Sequence, residues 1–278
     1  MKILIRHEEA IYKIFITLII IIFSLKCSTA FSASIYTCSP YQQINIGKYV
    51  VQTNYWNKSA CPGTQCMRIN SQTGSFSVLQ STALCPNVSS YPSIVYGKAW
   101  SVCSHQNELP APIDSLKTIA SNWNFMPTNS GSWDAAYDIW IGPNEHCGSR
   151  GFNGGAEIMI WLDYRHASGW QYDLGAVTIC GHTWEVWKWN VKWGQRHWHY
   201  IAYLSKTPIT AVHNLWIQDF LKDAISRNLV KNDWYLYAIE AGIELRQKGV
   251  PFTSKKFSVH FNRASTLKTV YTITHASK

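Results

Sequence analysis

The stretch GGAEIMIWLDY, residues 154–164, alternates strictly between two kinds of side chain. In an extended chain Glu157, Met159 and Trp161 point to one face, and the opposite face is entirely apolar (Ile158, Ile160 and Leu162). An apolar face of this kind is typical of a β-strand that covers a core. The other face carries a carboxylate beside an aromatic ring, so it is a candidate site.

Short β-rich runs of this type recur from Ile35 onward, and turn clusters such as CPGTQ, TNSGSW and RHASGW separate them. Many short strands at such spacing predict an all-β sandwich or barrel. Residues 214–230, NLWIQDFLKDAISRNLV, are the exception, because their apolar residues recur at helical spacing. We expect one amphipathic helix there, lying against the outside of a sheet.

The amino terminus has the layout of a secretory signal peptide. Basic residues precede an apolar run from Ile14 to Leu25, and small residues follow it. This run is shorter than the roughly 20 residues that span a bilayer. We therefore expect residues 1–32 to be a cleaved signal peptide and residues 33–278 to be one secreted domain, with no stable membrane association after cleavage.

The composition is unusual in its aromatic content. The chain has 14 tryptophans, a net charge of +9 and only 15% charged residues. Its lysines and arginines are scattered and form no recognisable binding motif, so the positive charge does not indicate a nucleic-acid partner. The excess of tryptophan is more than core packing needs and calls for a function.

Three further segments place a carboxylate or an amide on the same face as a tryptophan. Asp138 shares a face with Trp140, and Asn54 shares one with Trp56. In the third segment Glu240 and Glu244 lie on the same face as Trp234. Two carboxylates among aromatic rings suit glycoside hydrolysis, in which one attacks the anomeric carbon and the other protonates the leaving oxygen. The pattern alone does not separate such an enzyme from an ordinary sheet surface.

Metal chemistry has weaker support in the sequence. His197 and His199 could provide two ligands, but no third is evident. Cys61 and Cys66 lack a second ligand pair at zinc-finger spacing, and export favours disulfides over zinc. We expect no metal and no organic cofactor.

The motifs YVVQTNYW, SYPSIVYG, AAYDIW, EIMIWL, TWEVW and NDWYLYAIEAGIE occur in the order found in glycoside hydrolase family 12. The chain resembles this family from Cys38 to Phe261. The resemblance implies a β-jelly roll of two packed antiparallel sheets with a concave substrate cleft and one helix outside. It also implies a secreted, monomeric endo-β-1,4-glucanase, or a relative that prefers xyloglucan or mixed-linkage glucan.

The resemblance assigns three catalytic roles. The glutamate that opens EIMIW, Glu157, corresponds to the nucleophile, and that of the AG-x-E motif, Glu244, corresponds to the acid/base. Asp138 corresponds to the aspartate that hydrogen-bonds the nucleophile. Because the family retains anomeric configuration, the two catalytic carboxyl groups should lie about 5 to 5.5 Å apart. An ionised Glu157 would then favour a protonated Glu244.

The resemblance also assigns residues that contact the sugar chain. Asn54 and Trp56 correspond to the glycone-side platform. Met159 and Trp161 are expected to line the cleft beside the nucleophile, and Tyr41 falls where the family often has an outer aromatic platform. The expected substrate is therefore a β-1,4-glucan such as cellulose, xyloglucan or mixed-linkage glucan.

Three positions depart from the family pattern. Leu245 and Arg246 replace the usual proline and aromatic residue after the acid/base, which places a cation where it favours the charged carboxylate. Glu240 stands where glutamine is common, and we expect it to be structural or to contact sugar. Leu245 and Arg246 also suggest an alternative, in which the protein is a jelly roll that binds glucan without cleaving it.

The cysteines are only partly assigned by the resemblance. Cys38 and Cys66 correspond to the family's amino-terminal disulfide. Cys103 matches one half of a second bridge, but Lys98 occupies its partner's place. The pairing of the other cysteines stays open (Cys61, Cys85, Cys147 and Cys180).

Overall fold

A computed structural model of the chain describes residues 33–145, 153–167 and 172–263. The expected signal peptide, residues 1–32, lies outside the described residues, as does Cys147. The described strands are β1 (Ser34–Thr37), β2 (Gln43–Ile46), β3 (Tyr49–Gln52), β4 (Gln65–Asn70), β5 (Phe76–Ser81), β6 (Ser93–Ala99), β7 (Val102–Cys103), β8 (Ala111–Pro112), β9 (Leu116–Met126), β10 (Ser132–Gly142), β11 (Gly155–Arg165), β12 (Tyr172–Ile179), β13 (His182–Trp193), β14 (Arg196–Ser205), β15 (Ala211–Trp216), β16 (Tyr235–Gln247) and β17 (Phe252–Arg263). A short 3₁₀ turn (Ile113–Ser115) and one α-helix, α1 (Ile217–Ser226), complete the described elements.

The strands form two sheets. The smaller sheet has the order β1-β4-β5-β17-β9-β15, and the larger has the order β12-β13-β14-β11-β10-β16-β6-β3-β2, with β7 and β8 at its margins. The expected all-β sandwich is confirmed. One pair differs from the antiparallel expectation, because β11 and β14 run parallel, with Glu157 opposite Tyr200.

The core between the sheets is built by the predicted alternation. The apolar face of β11 lies in the main core (Ile158, Ile160 and Leu162), and so do Tyr137 and Ile139 of β10. The opposite faces of these strands carry Met159, Trp161 and Trp140 in separate clusters. The larger sheet therefore has one face on the core and one on the candidate site.

Strand β16 follows its predicted alternation only from Ala238 onward. Leu236 lies in the main core, although the alternation placed it with Glu240, and Tyr237 lies in a cluster on the site face. A register shift opposite Trp140 inserts one residue here and reverses the faces. Gly97 makes room for the bulge, since a Cβ at this position would meet the carbonyl oxygen of Tyr237 at 2.2 Å.

Helix α1 is shorter than the expected 214–230. Leu215 and Trp216 pair with β9 as the end of β15, so the helix begins only at Ile217. It ends where Asn228 adopts a positive φ of 58° and the amide of Leu229 donates to an earlier helical carbonyl. Phe220 packs edge-on against aromatic rings of β13 and β14, on the face of the larger sheet opposite the site.

Two disulfides lie in the amino-terminal part of the fold. One joins Cys38 and Cys66, the pair implied by the family resemblance. The other joins Cys61 and Cys85, which the sequence left unassigned. Among the described residues, Cys103 and Cys180 carry free thiols.

Candidate active site

A cleft of about 540 Å³ opens on the outer face of the larger sheet. Three carboxylates lie in its wall and floor, namely Asp138, Glu157 and Glu240. Aromatic rings supply most of the remaining surface (Tyr41, Trp56, Tyr91, Trp100, Trp140, Trp193, Trp198 and Tyr200). Flat apolar rings around a few carboxylates make a surface that can hold a sugar chain and act on it.

Five of the sequence-predicted site residues line this cleft: Tyr41, Asn54, Trp56, Asp138 and Glu157. Asn54 and Trp56 follow the end of β3 instead of continuing the strand, and Asn54 has a positive φ of 38°. Trp56 is 45% exposed and Tyr41 is 62% exposed, so both rings are open to a ligand.

Met159 and Trp161 lie elsewhere than expected. Each is only 1% exposed and belongs to a buried cluster beneath the site face. They do not line the cleft but support it from below. The hydroxyl of Tyr200, a cleft residue, lies 3.1 Å from the sulfur of Met159, which links the two layers.

Glu157 is held at the cleft floor by a tryptophan. Trp198 Nε1 donates a hydrogen bond of 2.7 Å to Glu157 Oε2. Burial raises the pKa of Glu157 to about 8; the Trp198 hydrogen bond opposes this rise, and the charges of Glu244 and Glu240 add to it. Burial thus favours the protonated form, whereas the resemblance implied an ionised one. Trp198 is the contact that stabilises the carboxylate.

Asp138 lies beside Glu157 but makes a different hydrogen bond from the one expected. Its Oδ2 accepts from Trp140 Nε1 at 2.9 Å, and its Oδ1 has no hydrogen-bond partner in the described part of the chain. Burial raises the pKa of Asp138 well above its ordinary value, and the charges of Glu157 and Glu240 raise it further. The implied hydrogen bond to Glu157 is not among those of the described residues.

Glu240 is a third buried carboxyl in the cleft. It stands directly opposite Asp138 in the pairing of β16 with β10. Its Oε2 accepts from Gln52 Nε2 at 3.0 Å and from Ser93 Oγ at 2.9 Å. Burial raises the pKa of Glu240 to about 7, although both hydrogen bonds act in the opposite direction.

Glu244 lies further along β16, beyond the residues that line the cleft. Its Oε2 accepts from Arg246 Nη2 at 3.2 Å, and Arg246 Nη1 bonds Asp134 Oδ1 at 2.6 Å. The charge of Glu244 raises the pKa values of Glu157 and Tyr200, so its carboxyl is within electrostatic reach of the cleft floor. The structure therefore brings both predicted catalytic glutamates into one electrostatic cluster.

Sequence reasoning missed Trp198, Tyr200 and Asp134. The first two lie on β14, and the alternation of QRHWHY places them on one face, a signal that could have found them. His199 Nδ1 instead lies 2.9 Å from Asn190 Oδ1. Asp134 had no signal in the sequence, because its importance depends on the pairing of β10 with β16.

Within the described ranges, no group of three or more His, Cys, Asp and Glu side chains is arranged to hold a metal ion. No described helix is both long and apolar enough to cross a membrane.

Comparison with protein families gives a match over most of the fold. The model of glycosyl hydrolase family 12 matches residues 47–262. Endoglucanase S of Pectobacterium parmentieri is 25% identical over 203 residues, which is 71% of this chain and 76% of that protein.

Two solved structures are similar throughout their length. Endoglucanase Cel12A from Rhodothermus marinus superposes with a TM-score of 0.77 at 33% identity, covering 83% of this chain and all of that one. A metagenome-derived family 12 endoglucanase gives 0.77 at 34% identity, covering 84% and 100%.

Proposed function

Because this chain belongs to glycosyl hydrolase family 12 and is a glycoside hydrolase of the endoglucanase class, we propose that it is a retaining endo-β-1,4-glucanase. Glu157 is the nucleophile and Glu244 the acid/base. The observation that carries the proposal is the position of Glu157, whose carboxyl lies on the floor of an aromatic cleft with Trp198 bonded to it.

Substrate binding uses the exposed rings. Trp56 and Tyr41 present flat faces on which the C–H faces of glucose units stack, and Asn54 offers an amide to sugar hydroxyls. Aromatic stacking of this kind holds a chain by its faces and leaves the ends free. An enzyme that binds a polysaccharide in this way hydrolyses internal glycosidic bonds of the chain.

The first chemical step is attack by Glu157 on the anomeric carbon. Attack requires the carboxylate, and the 2.7 Å bond from Trp198 stabilises that form against the effect of burial. Asp138 stands beside the nucleophile, and burial together with the charge of Glu157 favours its protonated form, which adds no second negative charge next to the Glu157 carboxylate. The glycosidic bond breaks as the glycosyl–Glu157 ester forms, and Glu244 gives its proton to the leaving oxygen.

The second step reverses these roles. Glu244, now a carboxylate, takes a proton from water, and the water oxygen attacks the anomeric carbon of the ester. Glu157 leaves as a carboxylate and the sugar regains its original anomeric configuration. The protein acts outside the cell, consistent with its cysteine pairing and with the signal-peptide layout of residues 1–32.

Hydrolysis of three polymers tests the proposal. We expect rapid loss of viscosity, with release of reducing ends, on at least one of carboxymethylcellulose, barley β-glucan and xyloglucan; the polymer cleaved fastest identifies the preferred glucan. Glu157→Gln and Glu244→Gln should each lower kcat by about 10²-fold to 10⁴-fold. Glu185→Gln is the matched control, because the carboxylate of Glu185 is half-exposed and paired with Lys206 outside the cleft.

Two results would contradict the proposal. Normal turnover in Glu157→Gln or Glu244→Gln would remove that residue from the mechanism. Retained binding without hydrolysis of any of the three polymers would make the protein a glucan-binding jelly roll.

A further inference from the structure

A buried ion pair lies beside the proposed acid/base, at the position where this chain departs from its family. Arg246 Nη1 lies 2.6 Å from Asp134 Oδ1, and Arg246 Nη2 lies 3.2 Å from Glu244 Oε2. The side chain of Asp134 is fully buried and that of Arg246 is only 8% exposed. One guanidinium thus bonds two carboxyl groups, that of Asp134 fully buried and that of Glu244 16% exposed.

The strand pairing explains how this cluster forms. Glu244 and Arg246 are two residues apart on β16 and share a face, while Leu245 between them points into the core. Asp134 stands directly opposite Glu244 on the neighbouring strand β10. The guanidinium carbon lies 5.4 Å from the ring centroid of Trp161, which gives it a flat support below.

The positive charge of Arg246 lies next to the proposed acid/base. A cation next to a carboxyl group favours the carboxylate, whereas an acid catalyst has to begin the reaction with its proton. The carboxylate of Asp134 offsets this positive charge, because it lies closer to Arg246 than Glu244 does. Arg246 can then orient Glu244 through a hydrogen bond while the pair as a whole is close to neutral.

We propose that Asp134 and Arg246 are a charge-compensated pair of positioning residues, which hold Glu244 in place and allow it to keep its proton. The proposal rests on the acid/base role of Glu244 proposed above. It assigns a function to Arg246, which departs from the family pattern, and to Asp134, its partner on β10.

Other groups also act on Glu244 and have to be considered. Glu157 on β11, Tyr200 on β14 and Tyr91, which precedes β6, all lie within electrostatic range of its carboxyl group. Asp138 and Glu240 complete the cluster of titratable groups within electrostatic range. All five are acids; Arg246 is the cation bonded to Glu244, and Lys192 also lines the cleft.

The surroundings of Asp134 show what keeps it charged. Burial and the charge of Glu244 raise the pKa of Asp134 well above its ordinary value, and the charge and hydrogen bond of Arg246 oppose the rise. Arg246 is therefore the contact that favours the Asp134 carboxylate, and that carboxylate in turn offsets the charge of Arg246.

The test measures kcat/KM against pH on the polymer that the wild type cleaves. Asp134→Asn leaves the positive charge of Arg246 uncompensated, so the alkaline limb should move down by about one pH unit, or tenfold in kcat/KM on that limb. Arg246→Met should move the limb in the opposite direction by a similar amount. The double variant, which removes both charges, should return the limb to near the wild-type position.

Arg246→Lys separates charge from geometry. Lysine keeps the cation but lacks the planar fork that bonds two carboxyl groups at once. We expect the limb to stay near the wild-type pH while kcat falls several-fold and KM is unchanged. If Arg246→Met fails to fold because it leaves a buried charge unpaired, Asp134→Asn and Arg246→Lys still decide the question.

Activated substrates complete the experiment. 2,4-Dinitrophenyl β-cellobioside has a leaving group that needs no proton, so the effect of Asp134→Asn on the alkaline limb should vanish with it. Limbs that stay in place on the polymer, or that move in the same direction in both single variants, would overturn the inference while the proposed function stands. A wild type that cleaves neither the polymers nor the aryl cellobioside would instead overturn the proposed function.

Discussion

Replacing Glu240 by glutamine should make the protein more stable at neutral and alkaline pH but not at acidic pH. The substitution keeps the shape of the side chain and removes a carboxyl group that is only 2% exposed. The amide oxygen can still accept hydrogen bonds from Gln52 and Ser93. The change therefore isolates the cost of ionising Glu240 inside the fold.

The magnitude follows from the pKa of Glu240, which burial raises from 4.5 to about 7. A carboxyl group whose folded-state pKa is raised leaves stability unaffected below the unfolded-state pKa. Stability then falls as pH rises from about 4.5 to about 7, because the unfolded chain releases its proton first. A rise of 2.5 pKa units corresponds to about 3 kcal/mol. For a domain of this size, we expect Glu240→Gln to raise Tm by about 6–12 °C at pH 8.

Thermal unfolding of the wild type and of Glu240→Gln, followed by circular dichroism from pH 4 to pH 8.5, measures this difference. The two Tm values should be close at pH 4 and should diverge as pH rises. Glu185→Gln, which changes a half-exposed carboxylate, should follow the wild type throughout. Parallel Tm curves for the wild type and Glu240→Gln would refute the reasoning, since they would mean that Glu240 ionises as easily in the fold as in the unfolded chain.

Three further changes test other contacts. Trp198→Phe removes the donor to Glu157 and raises its pKa, so the acid limb of kcat/KM should move up by about 1 to 2 pH units; an unmoved limb in the pH profile would argue against Glu157 as the nucleophile. Trp56→Ala removes an exposed platform and should raise KM for the polymer about 5-fold to 30-fold with Tm unchanged, and steady-state kinetics with an unaltered KM would show that glucan binds elsewhere. Replacing both Cys61 and Cys85 by serine removes a disulfide between residues 24 apart in the sequence, and should lower the free energy of unfolding by about 3 kcal/mol. An unchanged free energy of unfolding in denaturant titrations would contradict this.

Local alternation predicted those parts of the fold in which one face of a strand is uniformly apolar. Strand β11 is the clearest case, because its isoleucines and Leu162 enter the core as the pattern indicated. The pattern failed on β16 at Tyr237, where a bulge reverses the faces. A bulge depends on the partner strand and on the space left by Gly97. The two-residue alternation along a single strand contains neither piece of information.

The candidate site was predictable only in part, for a similar reason. Residues at the ends of recognisable motifs, such as Trp56, could be assigned to the cleft from sequence. The depth of Trp161 could not, because it is buried beneath the guanidinium of Arg246. The parallel pairing that brings β14 alongside Glu157, and the register that sets Asp134 opposite Glu244, are long-range features that a single sequence does not display.

Trapping the glycosyl-enzyme intermediate identifies the nucleophile directly. Incubation with 2,4-dinitrophenyl 2-deoxy-2-fluoro-β-cellobioside should slow breakdown of the covalent ester enough for peptide mass spectrometry to locate it. We expect a fluorocellobiosyl group on Glu157, absent in Glu157→Gln, together with β-configured products from unmodified substrate. A label on Glu240 or Glu244, or products of α configuration, would contradict the claim that Glu157 is the nucleophile of a retaining glucanase.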